Sequence, residues 1–312
     1  MNPISALLAA LGGLTVVFVG GWTKAVMAAR RLPGGQESPA TDARFPSGVQ
    51  IGIGALTNFF DTLGIGSFAT TTAIFRLRQL VPDRIIPGTL NAGHTLPTIA
   101  QAFIYTSVIP VDPVTLFSMI TAAVLGAWLG AGVVSHWSKR TVQLGMGAAL
   151  LVAATLMLIT QLQTLTGHQI LPLGGNALGV SGPFLLIAVA ANFLLGALMT
   201  LGIGLYAPCM ILVSLLGMNP TTAFPIMMGS CAFLMPVGSL RFIRERSYSL
   251  RNALGLALGG IPGVLVAAYI VKSLPLGIVR WLVIAVVLYT AITMLVSAAR
   301  EKSAAAAEAV RA

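Results

Sequence analysis

Asp61 is an acid inside a long apolar run, Gly48–Phe75, and it directly precedes Thr62-Leu63-Gly64-Ile65-Gly66. A carboxylate in such a run is costly in hydrocarbon and is a functional candidate for that reason. It suits a coupling proton or sodium ion; the plainer alternative is a cap at a helix break, a position Asp favours. The same pentapeptide recurs 138 residues later as Thr200-Leu201-Gly202-Ile203-Gly204. At a break, backbone N–H groups lose their helical partners, and glycine lets a ligand approach the bare main chain. The next helix then presents its positive N-terminal end, which suits an anion. Thr62, Gly64, Gly66 and Ser67 at the first tip, with Thr200, Gly202, Gly204 and Tyr206 at the second, are therefore candidate anion-binding residues. The alternative is that these glycines only permit tight helix crossing.

Other polar residues interrupt the apolar runs. His94, in Asn91-Ala92-Gly93-His94-Thr95, has an imidazole that can donate to an anion or relay a proton; a structural histidine bonded to a backbone carbonyl is the alternative. Asn58 and Asn192 precede the two tips by four and eight residues. Asn91, Thr95, Gln101 and Ser230 are further polar candidates. Cys231 adjoins Ser230, although a buried cysteine usually behaves as a small hydrophobe. An anion beside an ionised Asp61 would be repelled, so the site favours a neutralised or paired carboxylate. No metal-ligand spacing, lysine-bearing phosphate loop or nucleophile elbow is present, and His94, His136 and His168 are scattered. The sequence therefore points to no catalytic residue, no metal and no cofactor.

The elements that must hold these residues follow from composition. Of 312 residues, 56% are hydrophobic and 8% charged, and the mean hydropathy is +0.91. Soluble domains carry about 25% charged residues, so the natural solvent is a lipid bilayer. Full spans are expected near Ile4–Gly21, Ile85–Tyr105, Val114–Ser135, Val142–Leu162, Ala223–Leu240, Ala253–Val271 and Trp281–Ala298. Gly48–Phe75 is too short for two full spans, and Pro183–Leu216 is too long for one. Each reads as a hairpin of two short helices that returns to its starting side. On that reading 16 of the 18 basic residues share one face and only Lys272 and Arg280 fall on the other. This positive-inside bias puts the N-terminus outside and the C-terminus in the cytoplasm of a cell (inner) membrane. The net charge of +10 is explained by these loops and implies no nucleic acid. Two cysteines make no disulfide framework, and no cleavable signal is read.

The repeated pentapeptide is not alone. Pro87 maps onto Pro225 at the same offset, and Leu125-Gly126 with Gly130 recurs as Leu258-Gly259 with Gly263. The fold class is thus all-α: a polytopic helical bundle of two inverted repeats, each a broken hairpin plus three spans, preceded by one extra helix. Residues 1–47 form that helix and a cytoplasmic loop. Residues 48–162 and 183–298 are the repeats, 163–182 an extracytoplasmic connector and 299–312 a cytoplasmic tail. Inverted repeats with broken helices at corresponding positions point to a secondary transporter with a midplane site. They occur in channels too.

The run Asn58–Gly66, then Pro87-Gly88-Thr89-Leu90-Asn91-Ala92-Gly93-His94-Thr95-Leu96-Pro97 and Val111-Asp112-Pro113, resembles the sulfite exporter TauE/SafE family, the TSUP (toluene-sulfonate uptake) permeases. The likeness extends over about residues 48–298. It implies transport of small, mostly sulfur-containing anions such as sulfite or sulfoacetate. Many members carry a fuller glycine cluster at the tip, here reduced to Gly64 and Gly66 and to Gly202 and Gly204. The competing reading, from a different class, is an anion or small-solute channel without ion coupling.

Overall fold

The computed structural model describes residues 2–31, 38–134, 139–166, 175–199, 205–273 and 275–311. Among these there is no strand; eleven α-helices carry the chain. They are α1 (Pro3–Arg31), α2 (Gly48–Thr62), α3 (Ser67–Leu77), α4 (Ile86–Val108), α5 (Pro113–Val134), α6 (Lys139–Thr166), α7 (Gly182–Met199), α8 (Tyr206–Leu215), α9 (Ala223–Arg244), α10 (Leu250–Ser273) and α11 (Leu276–Arg311). Six described stretches, in α1, α6, α7, α9, α10 and α11, are long and apolar enough to cross a membrane. The 23-residue α4 matches the expected span in length, but Asn91, His94, Thr95 and Gln101 make it more polar than those six.

The first expected interruption is present: α2 stops at Thr62 and α3 starts at Ser67. Around the second, α7 is described to Met199 and α8 from Tyr206. α7, at 18 residues, is longer than a short hairpin arm and is among the six apolar stretches. Thr200, Leu201, Gly202, Ile203 and Gly204 lie outside the described residues.

The chain clusters into two compact units. The first comprises residues 1–113 and 228–273, the second 114–227 and 274–312. In the first, α2 crosses α10 with both backbones close. A Cβ on Gly54 would fall on the Leu256 carbonyl, and one on Gly259 would fall on the Ile51 carbonyl. Four residues before Gly54, Gln50 donates to the Asn252 side chain at 3.0 Å, while its Oε1 accepts the Ser47 N–H at 2.7 Å and caps α2. Small residues at a crossing give van der Waals contact where lipid supplies no hydrophobic drive. On the flank, Phe18 and Trp22 of α1 pack with Ala92, Tyr248 and Ala253.

The second unit has a crossing of the same kind between α7 and α5. A Cβ on Gly196 would fall on the Ala123 carbonyl, and one on Gly126 on the Phe193 carbonyl. Four residues before Gly196, Asn192 donates to the Met119 carbonyl at 2.6 Å. α6 packs on α11, where Gly147 lies against Leu295 and Ala291.

The short helices end alike. After α3, Leu80 N–H bonds the Phe75 carbonyl and Gln79 N–H bonds the Arg76 carbonyl; after α8, Met218 N–H bonds that of Val213 and Gly217 N–H that of Ser214. Both are Schellman caps with a left-handed residue, Gln79 at φ 49° and Gly217 at φ 76°. Gln79 and Gly217 are 138 residues apart, and so are Pro82 and Pro220, which open the following turns.

Candidate functional site

The site is assembled in the first unit from three helical faces. On α2, Asn58, Asp61 and Thr62 are spaced i, i+3, i+4 and share one side. On α3, Ser67 and Thr71 are one turn apart. On α4, His94, Gln101 and Tyr105 form one stripe at i, i+7, i+11. All eight are buried. Such groups must be satisfied internally, because hydrocarbon offers no partner.

The break between α2 and α3 is itself a Schellman cap. Ile65 N–H bonds the Phe60 carbonyl at 3.1 Å and Gly64 N–H bonds the Asp61 carbonyl at 2.8 Å. Gly64 at φ 96° and Gly66 at φ 86° both occupy the left-handed region that favours glycine. The chain then turns directly into α3, whose first N–H, from Ser67, donates to Asp61 Oδ1 at 2.5 Å. The expected anion-binding helix N-terminus thus already has a carboxylate of the protein's own on it.

The other carboxylate oxygen faces α4. Gln101 Nε2 donates to Asp61 Oδ2 at 2.9 Å and to Thr62 Oγ1 at 3.0 Å. The Tyr105 hydroxyl reaches the Thr62 carbonyl at 3.4 Å. Thr62 Oγ1 in turn donates to the Asn58 carbonyl at 2.7 Å. Both Asp61 oxygens accept hydrogen bonds in this arrangement.

His94 bridges α2 and α3. Asn58 Nδ2 donates to the Gly54 carbonyl at 2.8 Å, which fixes the amide because a carbonyl can only accept. Asn58 Oδ1 therefore faces His94 Nδ1 at 3.1 Å and accepts a hydrogen bond from its N–H. For a neutral ring, Nε2 is then the acceptor, and Thr71 Oγ1 donates to it at 3.1 Å. Phe68 lies beside the ring, centroids 5.9 Å apart. The structure gives His94 side-chain partners rather than the backbone carbonyl of the plainer expectation.

Not every sequence candidate joins this cluster. Half-buried Asn91 bonds the Pro87 carbonyl of its own helix. Thr95 bonds Ser239 of α9 at 2.9 Å on another face of α4. Ser230 and Cys231 are buried in α9. Asn192 and Tyr206 belong to the second unit, where both are buried; Thr200, Gly202 and Gly204 lie outside the described residues. Sequence reasoning missed Thr71 and Tyr105. Their signal was spacing: each stands four residues after another member, Ser67 and Gln101.

Residues 184–311 match the family model described as Sulfite exporter TauE/SafE. The match runs from α7 to α11, so the resemblance is shown over the second expected repeat, while the motifs at Asn58–Gly66 and Pro87–Pro97 precede it. No curated protein and no solved structure matches the chain. The family match and the apolar helices together make this a multi-pass membrane protein.

Proposed function

We propose, on the premise of that family match, that the chain is a secondary transporter moving a small sulfur-containing anion, sulfite or an organosulfonate, across the cytoplasmic membrane. It works by alternating access and is coupled to an ion. The observation that carries this reading is the broken helix at Thr62–Ser67 with its wholly buried polar cluster. A discontinuous helix inside an apolar bundle is tolerated where it serves a ligand.

The inverted-repeat reading is supported by like packing in the two units. Gly54 with Gly259 and Gly196 with Gly126 make the same reciprocal crossing. Gln50 and Asn192, each one turn earlier, both reach across to the helix being crossed. The equal 138-residue offsets of the tips, the two caps and the following prolines support it further. Such a repeat gives two halves that exchange roles, which alternating access requires. Each tip would offer polar groups to a substrate: Thr62, Gly64, Gly66 and Ser67 at the first, with Asn58, Asn91, His94, Thr95, Ser230 and Cys231 in the same unit, and Thr200, Gly202, Gly204 and Tyr206 at the second, with Asn192. Asp61 and His94 carry the coupling ion or proton.

The test is thermal unfolding of the purified protein with sulfite, small sulfonates, sulfate and carboxylates, since a true ligand stabilises the state it binds. A saturable shift with sulfite or a sulfonate, and gradient-driven accumulation in vesicles, is the expected result. Anion flux that runs continuously without coupling supports the channel instead.

A further inference from the structure

We propose that the C-terminal end of α2 is a sodium site, formed by the Asp61 carboxylate, the Thr62 hydroxyl and carbonyl oxygens, and the side-chain oxygen of Gln101. The transport reading supplies its purpose, as the seat of the coupling ion.

The starting observation is the position of one nitrogen. Gln101 Nε2 stands between Asp61 Oδ2, at 2.9 Å, and Thr62 Oγ1, at 3.0 Å. One turn along α4, the Tyr105 hydroxyl points at the Thr62 carbonyl, at 3.4 Å. Three oxygens from two consecutive residues therefore converge on the donors of one helix face. The donors mark where positive charge is wanted. The backbone adds to this. A helix C-terminus carries the negative end of the macrodipole. The Schellman cap at Gly64 takes up the Phe60 and Asp61 carbonyls and leaves that of Thr62 turned toward Tyr105. Ends of broken helices of this kind coordinate coupling cations in membrane transporters generally.

Gln101 makes the site convertible. Its amide is close to isosteric about the last torsion, and half a turn replaces the donor nitrogen by Oε1. That orientation would set three oxygens against one another unless a cation lay between them. With the cation present, four oxygens of one residue stripe and one helix end surround it. The nitrogen thus holds the seat when the ion is absent, and the oxygen binds when it arrives.

The charge count selects the ion. A single carboxylate with neutral oxygens balances one positive charge. Calcium takes about 6–8 oxygens, usually with several carboxylates, and magnesium keeps much of its water. A proton would use Asp61 alone and give the Thr62 oxygens no part. Occupation also resolves the repulsion at the tip. Asp61 Oδ1 sits on the Ser67 N–H, at the helix start where an anion is expected. Sodium on Oδ2 neutralises that carboxylate, so an anion enters beside a paired charge. Sodium binding then precedes and promotes anion binding.

The experiment uses the full chain in detergent, without substrate, in sodium, potassium or choline chloride at one pH and ionic strength. Sodium is expected to raise the unfolding temperature saturably, with potassium matching choline. Gln101→Leu and Thr62→Val should each weaken the apparent sodium affinity by about tenfold or more, and Thr62→Ser should retain it. Equal unfolding temperatures in all three salts, in wild-type protein that still binds its anion, overturn the site and leave the transporter reading intact. A stability that follows pH but not sodium overturns it too, in favour of a proton. The wild-type comparison decides even if a variant does not fold. Loss of anion stabilisation with the sodium effect preserved would instead count against the transport reading alone.

Discussion

His94 and Asn58 orient each other. Asn58 spends its amide nitrogen on the Gly54 carbonyl at 2.8 Å, so its oxygen faces His94 Nδ1 at 3.1 Å, and the ring is left to accept from Thr71 through Nε2 at 3.1 Å. One imidazole thereby ties the two arms of the broken hairpin to α4. Asn58→Leu and Thr71→Val should each lower stability by about 1–3 kcal/mol, the cost of stranding a buried polar partner. Because both act through one ring, the double variant should cost clearly less or more than the sum. Simple additivity in a double-mutant unfolding cycle would show that His94 is not their common partner.

The two glycine crossings make a sharper stability prediction. Gly259→Val should abolish or severely reduce recovery of monodisperse protein, because its Cβ would fall on the Ile51 carbonyl. A backbone carbonyl on a packed helix cannot step aside as a side-chain end can. Gly196→Val should behave the same way against Ala123. Gly52→Val is the control, since an added Cβ there meets nothing within 4 Å. Equal recovery of all three would mean the crossings are looser than described.

Much of this arrangement was legible in the sequence. Apolar run length located the membrane-length helices α1, α6, α9, α10 and α11, and Asp61 followed by glycines located the first break, because hydrocarbon penalises both charge and unpaired backbone. The pairing inside the site was less legible. A polar residue in a span shows that a partner exists but not which one: Asp61 found Gln101, and His94 found Thr71, only once three helices were packed. Gly64 shows another limit. Its role was read as ligand access, and its φ of 96° adds a backbone requirement. Gly64→Val should therefore cost folding as well as affinity, and Ser67→Ala, which keeps the backbone N–H donor to Asp61, is the milder probe of the tip.

At the loop before α2, Arg44 holds the Asp42 carboxyl below its ordinary value, chiefly by the side-chain hydrogen bond, with Nη2 2.7 Å from Oδ2. A depressed folded-state value stabilises above the unfolded value and is lost as pH falls through the folded one. Asp42→Asn should thus lower stability at pH 7 by less than about 1 kcal/mol, since Arg44 is half exposed and screened. The difference from wild type should shrink as pH falls below the ordinary carboxylate value and vanish in strong acid, once the depressed folded-state value is passed. A gap that persists there would assign the effect to packing.

The 16-to-2 distribution of basic residues predicts a cytoplasmic C-terminus and an external N-terminus. A C-terminal fluorescent reporter should be bright in cells, and a C-terminal periplasmic phosphatase should be silent. The converse pattern would reverse the orientation.

The caps of the two short helices offer the last test. Gln79 and Gly217 hold the same left-handed position, at φ 49° and φ 76°, after helices that end with the same pair of bonds. An L-residue with a Cβ pays roughly 1 kcal/mol there, and glycine does not. Glycine also loses more chain entropy on folding, which offsets part of that gain. Gln79→Gly should therefore stabilise by a few tenths to about 1 kcal/mol, and Gly217→Gln should destabilise by about 1 kcal/mol. Unfolding of the two variants in the same micelle measures both. Gln79 is exposed at the surface, so loss of its side chain removes little packing. If Gln79→Gly destabilises while Gly217→Gln is neutral, the glutamine side chain is holding something at that corner that the backbone geometry does not explain.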